Sequence, residues 1–187
     1  MTDTLYHLEP GKCALLVVDI QENLMRVIHV KEEVAKNTAL LIRVAKVLDI
    51  PVVATTQYVA RIGPFVPEVA EALGELPALD KFEFGCFNNE TIKAAVKRLP
   101  PAVNTLIVCG VETHICIYQT VLGALMAGYR VWVAADAVSS RAKKNYKIGL
   151  ARLREIGAVV GTSEMIIYDL LGKAGTPQFK ELLPYLK

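Results

Sequence analysis

The sequence predicts an α/β fold in which helices cover both faces of a parallel sheet. Short apolar segments rich in β-branched residues alternate with longer segments of helical periodicity, as in successive βαβ units. The apolar segments lack a polar face, which is typical of strands buried on both sides. With 187 residues and a hydrophobic content of 53%, the chain is expected to form one domain over 1–187.

The strands are expected where these apolar segments occur. The five segments are 13–19, 51–55, 104–109, 130–135 and 158–161. No glycine-rich phosphate-binding pattern accompanies any of them, so a nucleotide cofactor is not expected.

Helices are predicted between and after the strands, over 31–48, 88–99, 115–127, 143–156, 163–171 and 177–186. The first has an apolar stripe and a charged face. Asn88 or Asn89 is a candidate N-cap of the second, and Pro100-Pro101 prevents its extension. The third is apolar on all sides and precedes Gly128, which predicts a buried helix with a glycine stop.

Segment 58–79 differs from the rest because five of its residues are glycine or proline. We expect a long loop here with one helical turn. Connections of this length in a compact domain usually have a function, commonly as a pocket wall or lid.

Charge and cysteine content exclude several classes of function. The chain has 21 basic and 19 acidic side chains, without basic blocks interleaved with aromatic residues, so no nucleic-acid partner is expected. Its longest apolar segments are far shorter than the roughly 20 residues of a membrane-spanning helix. Residues 1–10 do not have the pattern of a signal peptide, and the four cysteines lack a C-x-x-C pair. We therefore expect free thiols and a cytoplasmic location.

Asp19 closes the first predicted strand. Ligands of parallel α/β sheets bind beyond the carboxyl ends of the strands, so this carboxylate is a candidate general base. A turn or N-cap aspartate explains its position equally well.

Cys116 follows the third predicted strand, where the apolar helix begins. A thiol in the first turn of a helix faces unpaired N–H groups and the positive end of the helix dipole, which favour the thiolate and can hold an oxyanion. The alternative is a small buried residue. Cys13 and Cys109 lie within strands and are expected to be buried in that way.

Lys81 precedes an aromatic segment. If it points into a pocket, its cation would stabilise a neighbouring thiolate and carboxylate. A solvated side chain is the alternative. The histidines His7, His29 and His114 lack a second ligand at metal-binding spacing. His114 is near Cys116 in sequence, but side chains of neighbouring residues often point apart, so a catalytic role is not expected for it.

Three motifs together resemble the isochorismatase-like hydrolase superfamily. They are the segment 16–21 (LVVDIQ), Lys81 before an aromatic segment, and the segment 108–117 (VCGVETHICI). The similarity covers nearly the whole chain and continues through 124–138 to the closing Thr162-Ser163-Glu164.

The resemblance implies a three-layer α/β/α, Rossmann-like fold with a parallel sheet of about six strands. It implies a triad in which Asp19 is the base, Lys81 the cation and Cys116 the nucleophile. A cis peptide between Val111 and Glu112 would direct the N–H groups of Glu112 and Cys116 at an oxyanion. Further residues are implied to bind a small-molecule substrate, and a homo-oligomer, dimer or tetramer, is implied as well. The implied substrate-binding residues are Gln21, Gln57, Tyr58 and Phe84.

Two departures from the family pattern restrict the activity. Nicotinamidases of this superfamily bind a metal through an Asp-x-His motif, which is replaced here by Thr55-Thr56-Gln57-Tyr58, so no metal is expected. Glu112 replaces a small residue, which puts a carboxylate near the site or at a subunit contact. The leading hypothesis is metal-independent hydrolysis of a C–N bond in a small amide or related substrate.

Two alternatives remain open at this point. One is isochorismatase-type hydrolysis of a vinyl ether, which uses Asp19 and Lys81 without covalent attack. The other is a non-catalytic scaffold with a vestigial site, which predicts a closed pocket.

Overall fold

The computed structural model describes residues 6–186 and contains one sheet of six parallel strands. The strands are β1 (Cys13–Val18), β2 (Val52–Gln57), β3 (Ala78–Lys81), β4 (Thr105–Val111), β5 (Arg130–Ser139) and β6 (Val159–Gly161). Their order is β3-β2-β1-β4-β5-β6. The predicted α/β class and the sheet of about six strands are confirmed.

Helices cover both faces of the sheet. They are α1 (Glu22–Met25), α2 (Lys31–Val47), α3 (Val59–Ile62), α4 (Pro67–Leu73), α5 (Glu90–Lys97), α6 (Tyr118–Met126), α7 (Lys143–Glu155), α8 (Ser163–Leu171) and α9 (Pro177–Leu182). Short 3₁₀ turns occupy Pro10–Lys12, Cys86–Asn88 and Leu183–Tyr185, and a π-helical turn occupies Thr113–Ile117.

Strand β1 lies in the centre of the sheet, and all six of its residues are buried. Successive side chains of a strand point to opposite faces. Accordingly, Leu15 and Val17 join the core formed with α2, α4 and α8, whereas Leu16 and Val18 join the core formed with α5, α6 and α7. This two-sided burial explains why the predicted strands had no polar face.

The start of one predicted helix is marked by a capping residue, whereas another begins differently from the prediction. Asn89 caps α5, since its Oδ1 accepts a hydrogen bond of 3.1 Å from the N–H of Ile92; the prediction of Asn88 or Asn89 as the cap is confirmed for Asn89. The predicted helix over 115–127 begins instead with the π-helical turn and becomes α-helical at Tyr118. Burial on all sides was also wrong, because Met126 is 81% exposed.

The prediction of a long loop over 58–79 is wrong for most of the segment. This segment contains α3, α4 and the start of β3. Pro67 and Gly74 do not mark a loop, because they are the first residue of α4 and the residue after its end. Proline at a helix start and glycine past its end are common. Strand β3 has no long apolar segment because it is a four-residue strand at the edge of the sheet.

Two backbone features determine how the carboxyl ends of the central strands meet. Gly110 in β4 has φ +130°, and a Cβ atom there would lie 2.0 Å from the carbonyl oxygen of Val18. Only glycine fits such a close approach. Asp19, directly after β1, has φ +56°, a conformation that is uncommon outside glycine. As a result, β1 and β4 end side by side and Asp19 turns away from the strand direction.

Candidate active site

Asp19 and Lys81 form a buried ion pair at the carboxyl edge of the sheet. Lys81 is the last residue of β3, and its Nζ lies 2.6 Å from Oδ2 of Asp19 across β2. Both side chains have no solvent exposure. Lys81 is therefore not a solvated surface lysine, and a buried charge of this kind is retained only with a partner.

Gln57, at the end of β2, holds the Lys81 ammonium from a second direction. Its Oε1 accepts a hydrogen bond of 2.8 Å from Lys81 Nζ, while its Nε2 donates to the carbonyl oxygen of Phe82 at 2.8 Å. An ammonium has three N–H donors, and Asp19 and Gln57 account for two of them. Gln57 is expected to bind substrate, and in the structure its side chain contacts Lys81 and the backbone.

Thr55 holds the other oxygen of the Asp19 carboxylate. Its Oγ1 donates to Asp19 Oδ1 at 2.9 Å, and Thr55 is fully buried. Burial raises the pKa of the Asp19 carboxyl above its ordinary value, and this effect outweighs Lys81, Thr55 and Cys116, which lower it. A carboxylate with a raised pKa is a better proton acceptor than an ordinary aspartate.

Cys116 lies in the π-helical turn after β4, within electrostatic reach of the Asp19 carboxylate and the Lys81 ammonium. The Lys81 charge and the backbone N–H of Glu112 both lower the pKa of the thiol. Burial, followed by the charge of Asp19, raises the pKa of Cys116 to about 12. The expected influence of backbone N–H groups, which favours the thiolate, is present at Glu112, but desolvation and the adjacent carboxylate outweigh it and favour the thiol.

The peptide bond between Val111 and Glu112 is cis, and the Glu112 carboxylate is bound by Arg141 of the same chain. Arg141 Nη2 lies 2.6 Å from Oε1, its Nε lies 3.0 Å from Oε1, and its backbone N–H donates to Oε2 at 2.8 Å. Burial raises the pKa of Glu112, but the hydrogen bonds from Arg141 outweigh burial and the pKa is lowered overall. The carboxylate is thus an ionised partner of Arg141.

His114, two residues before Cys116, has partners on both ring nitrogens. Its Nδ1 lies 2.9 Å from Ser140 Oγ, and Nδ2 of Asn145 lies 3.2 Å from its Nε2. With an amide donor facing Nε2, the proton of the neutral ring belongs on Nδ1 and is donated to Ser140. This arrangement favours a structural role for His114.

The remaining predicted substrate residues divide into one buried and two exposed side chains. Gln21 is buried, and its amide bonds the backbone of Gln57 and the carbonyl oxygen of Gly63. Tyr58 and Phe84 are 40% and 54% exposed. Tyr58 directly follows β2, and Phe84 follows Lys81, the last residue of β3. The two aromatic side chains are available for contact with another molecule, whereas Gln21 is not.

Access to the three candidate catalytic groups is narrow. Asp19 and Lys81 have no exposed side-chain surface, and Cys116 is 7% exposed. A cavity of about 620 Å³ lies between α2 and α8 and is lined by residues such as Glu33, Asp136 and Ser163. Because none of the three candidate groups lines it, we identify the site by its chemistry and not by cavity size.

Sequence reasoning missed two residues with direct contacts to the site, Thr55 and Arg141. Thr55 belongs to the polar segment Thr55-Thr56-Gln57 at the carboxyl end of an otherwise apolar strand, which was an available signal. Arg141 follows the end of β5, but its pairing with Glu112 depends on how β4 and β5 align, which the sequence does not specify.

Within residues 6–186, no three His, Cys, Asp or Glu side chains converge in a way that could hold a metal ion. The helices of the same part of the chain include none that is both long and apolar enough to cross a bilayer. All four cysteines are free and buried.

Comparison with known proteins identifies the family of these motifs. The isochorismatase domain model matches residues 13–165. The secreted isochorismatase effector Isc1 of Phytophthora sojae is 35% identical over all of this chain and 90% of its own length. Isochorismatase domain-containing protein 2 of Bos taurus is 36% identical over 95% of this chain and 84% of its own length.

Solved structures agree with this result. The MAR1 ribonuclease of Caenorhabditis elegans superposes with a TM-score of 0.89 at 32% identity, over 97% of this chain and 92% of that one. The YcaC gene product of Escherichia coli, described as an octameric hydrolase of unknown specificity, has a TM-score of 0.89 at 24% identity, over 98% of this chain and 92% of that one. The second likeness supports the fold alone.

Proposed function

The chain belongs to the isochorismatase family and has its hydrolase fold, and on that premise we propose that it cleaves a C–N bond in a small amide, carbamoyl or related substrate without a metal ion. The observation that carries this proposal is the buried contact of Lys81 with Asp19, two groups whose charges both act on the Cys116 thiol. A base, a cation and a nucleophile brought together in this way are the components of covalent amide hydrolysis.

In the proposed mechanism, Asp19 removes the proton of the Cys116 thiol as the sulfur attacks the substrate carbonyl carbon. Because the pKa of the resting thiol is about 12, proton transfer and attack are expected to occur together. The carbonyl oxygen becomes an oxyanion and accepts hydrogen bonds from the N–H groups of Glu112 and Cys116. The Glu112 N–H already acts on the thiol, whose pKa it lowers, so it lies near the reacting sulfur.

The second half of the reaction returns the enzyme to its starting state. Protonated Asp19 gives its proton to the nitrogen as the C–N bond breaks, and the amine departs. Asp19 then accepts a proton from water, whose oxygen attacks the thioester carbon and releases the acid and the Cys116 thiol. Lys81 keeps the Asp19 charge compensated while the carboxylate gains and loses its proton.

Metal independence is supported by the residues at the end of β2. Thr55 bonds Asp19, Thr56 Oγ1 donates to Asp80 at 2.8 Å, and Gln57 bonds Lys81. These hydroxyl and amide groups replace the Asp-x-His pair of the metal-binding relatives and are all engaged in internal contacts. For the aromatic side chains Tyr58 and Phe84, exposed on the same edge, we propose contact with the substrate.

We also propose that 1–187 forms one domain, that the protein is a homo-oligomer and that it is cytoplasmic. Exposed apolar side chains such as Met126 and Ile148 provide surface that assembly would bury. Four free thiols favour a reducing compartment. The secreted relative from Phytophthora makes location a property to measure, by fractionation of cells that express the tagged protein.

The test is release of ammonia or amine from a panel of small amides and carbamoyl compounds. We expect Cys116→Ala and Asp19→Asn each to lower turnover by at least about 100-fold, while Cys109→Ala, which removes a fully buried thiol of β4, retains it. Full turnover by Cys116→Ala would eliminate the covalent mechanism. Hydrolysis of a vinyl ether that survives this substitution would favour the isochorismatase-type reaction.

The scaffold alternative also has a supporting observation, because the closed pocket that it predicts agrees with the low exposure of Asp19, Lys81 and Cys116. The rate of thiol alkylation distinguishes a cysteine hydrolase from a non-catalytic scaffold. If the thiol is a nucleophile activated by Asp19, iodoacetamide should modify Cys116 faster than Cys13 or Cys109, and Asp19→Asn should slow this reaction. Equal reactivity of the three thiols, together with no hydrolysis across the panel, would establish the scaffold reading.

A further inference from the structure

Both oxygens of the Asp19 carboxylate are held from neighbouring strands. Lys81 donates to Oδ2 at 2.6 Å, and Thr55, in β2, donates to Oδ1 at 2.9 Å. Thr55 pairs with Val18 in the register of β1 and β2, which brings its side chain beside the residue after Val18. Asp19 and Thr55 are both fully buried, so a water molecule has no room to replace the hydroxyl without a change in packing.

The direction of the Thr55 hydroxyl follows from its partners. An ionised carboxylate accepts hydrogen bonds and donates none, so the single hydroxyl proton is directed at Asp19. The Cys86 sulfur lies 3.9 Å from Thr55 Oγ1, and its thiol is therefore the donor in that contact. Burial raises the pKa of Cys86 to about 11, which keeps the donor proton on the sulfur at neutral pH.

Cys86 is itself fixed by the helix that follows the nucleophile. The backbone N–H of Cys86 donates to Thr120 Oγ1 at 3.0 Å, and Thr120 lies four residues after Cys116. A buried chain of contacts thus runs from α6 through Thr120, Cys86 and Thr55 to the Asp19 carboxylate.

We propose that Thr55 is a positioning residue that fixes the orientation of the Asp19 carboxylate and maintains it in the ionised form that accepts the thiol proton, with the Cys86 thiol behind its hydroxyl. This proposal rests on the function proposed above, because orientation of Asp19 matters for turnover only if Asp19 is the base. The contacts themselves do not depend on the substrate.

Loss of the Thr55 hydroxyl should change the ionisation of Asp19 in a defined direction. The groups that face this carboxylate are Lys81 from β3, Cys116 from the turn after β4, and Thr55 from β2, with Cys86 behind Thr55. Removing the Thr55 donor leaves the others in place and destabilises the ionised form. The midpoint of Asp19 ionisation should therefore move to higher pH.

The experiment compares Thr55→Val, which has nearly the same shape without the hydroxyl, with Thr55→Ser, which retains the hydroxyl. Ionisation of Asp19 is followed by ¹³C NMR of protein labelled at aspartate carboxyl groups, and its signal is assigned by its loss in Asp19→Asn. We expect Thr55→Val to raise the midpoint by about one pH unit, as expected for loss of a hydrogen bond to a charged group, and Thr55→Ser to restore it.

The same variants are then assayed for turnover across pH. For Thr55→Val we expect the acid limb of kcat/KM to shift upward by the same amount and the plateau to fall by about tenfold. A purely structural role would lower the urea midpoint without moving this limb. The matched control is Thr56→Val, since Thr56 is the adjacent buried threonine and donates to Asp80 instead of Asp19; it should leave the Asp19 midpoint unchanged.

Failure of this inference can be distinguished from failure of the proposed function. The NMR midpoint is measured without substrate, so an unchanged midpoint in Thr55→Val overturns the role of Thr55 whether or not an amide is hydrolysed. If the midpoint shifts but Asp19→Asn retains full turnover, the proposed function is wrong, and the part of the proposal that links Thr55 to turnover is overturned with it. Thr55→Ala provides the same readout if Thr55→Val does not fold.

Discussion

Removal of the Arg141 side chain tests how the turn beside Cys116 is held. Glu112 is 4% exposed and all of its carboxylate hydrogen bonds in the structure come from Arg141. Arg141→Ala retains the backbone N–H donor but leaves the buried carboxylate without a cation. Loss of one partner of a fully buried pair costs about 3–5 kcal/mol.

The expected magnitude is smaller than that range because the Arg141 side chain is 59% exposed, so water can enter where the guanidinium was. We expect a loss of about 2 kcal/mol at pH 7. With a urea dependence of about 2 kcal/mol per M, the unfolding midpoint should fall by about 1 M. Arg141→Lys retains the charge but loses the two-pronged geometry, and it should lie between the wild type and Arg141→Ala.

The loss should also depend on pH in a defined direction. In the wild type the pKa of Glu112 is lowered from 4.5, so the stabilisation is present above pH 4.5 and is lost as pH falls through the lower folded-state value. In Arg141→Ala, burial without a partner should raise this pKa. The difference between the two proteins is therefore largest at neutral pH and should shrink below pH 4.5.

The assay is urea unfolding followed by circular dichroism at pH 7 and pH 4. Arg152→Ala is the matched control, because Arg152 forms an exposed pair with Glu155 at 3.1 Å and its loss should leave the midpoint unchanged. Equal midpoints for wild type and Arg141→Ala at pH 7, or a deficit that is the same at both pH values, would refute the reasoning.

Three further predictions concern the thiols, a glycine and a helix cap. The free energy of unfolding should fall as pH rises from 9 toward 11, because the folded chain holds thiol protons more tightly than the unfolded chain. Each thiol should reduce it by about 1 kcal/mol by pH 10, and an equal urea midpoint at pH 8 and pH 10 would contradict this. The thiols, whose pKa is raised from 9.0 to about 11 or 12, are Cys13, Cys86, Cys109 and Cys116. Gly110→Ala should destabilise the fold by more than about 4 kcal/mol, since its Cβ would meet the backbone of Val18, whereas Gly128→Ala, with nothing within 4 Å, should cost only about 1 kcal/mol; similar thermal midpoints for the two variants would argue against the close approach of β1 and β4. Thr162→Ala removes the hydroxyl that accepts the Met165 N–H at 3.2 Å and should lower stability by about 1 kcal/mol, measured by urea unfolding against Thr162→Ser; no change would mean that the cap contributes nothing.

The sequence predicted the interior of the fold better than its edge. Strands such as β1 and β4 are buried on both faces, so their apolar residues were visible without any tertiary information. Strand β3 is a short edge strand with Asp80 and Lys81 among its four residues, and nothing local distinguishes it from a loop. The short helices α3 and α4 were missed for a related reason, since their stability comes from packing and not from local propensity.

The site was predicted in part. Motif order identified Asp19, Lys81 and Cys116 as candidates, and in the structure Asp19 and Lys81 form an ion pair whose two charges act on the pKa of Cys116. The raised pKa of Cys116 was not predictable, because a position at a helix start reveals nothing about burial or about a carboxylate from another strand. The contacts of Gln57 and Glu112 depend in the same way on side chains distant in sequence.

The position of Lys81 on the edge strand links turnover to local opening of the sheet. Strand β3 has a neighbour on one side only and pairs with β2 through four residues, so its amide hydrogens should exchange with solvent sooner than those of β1 or β4. Each such opening would withdraw the ammonium from Asp19 while the central strands remain paired. Heating or dilute urea should then abolish activity before the molecule loses its secondary structure, with the edge strand acting as the weakest element of the catalytic apparatus.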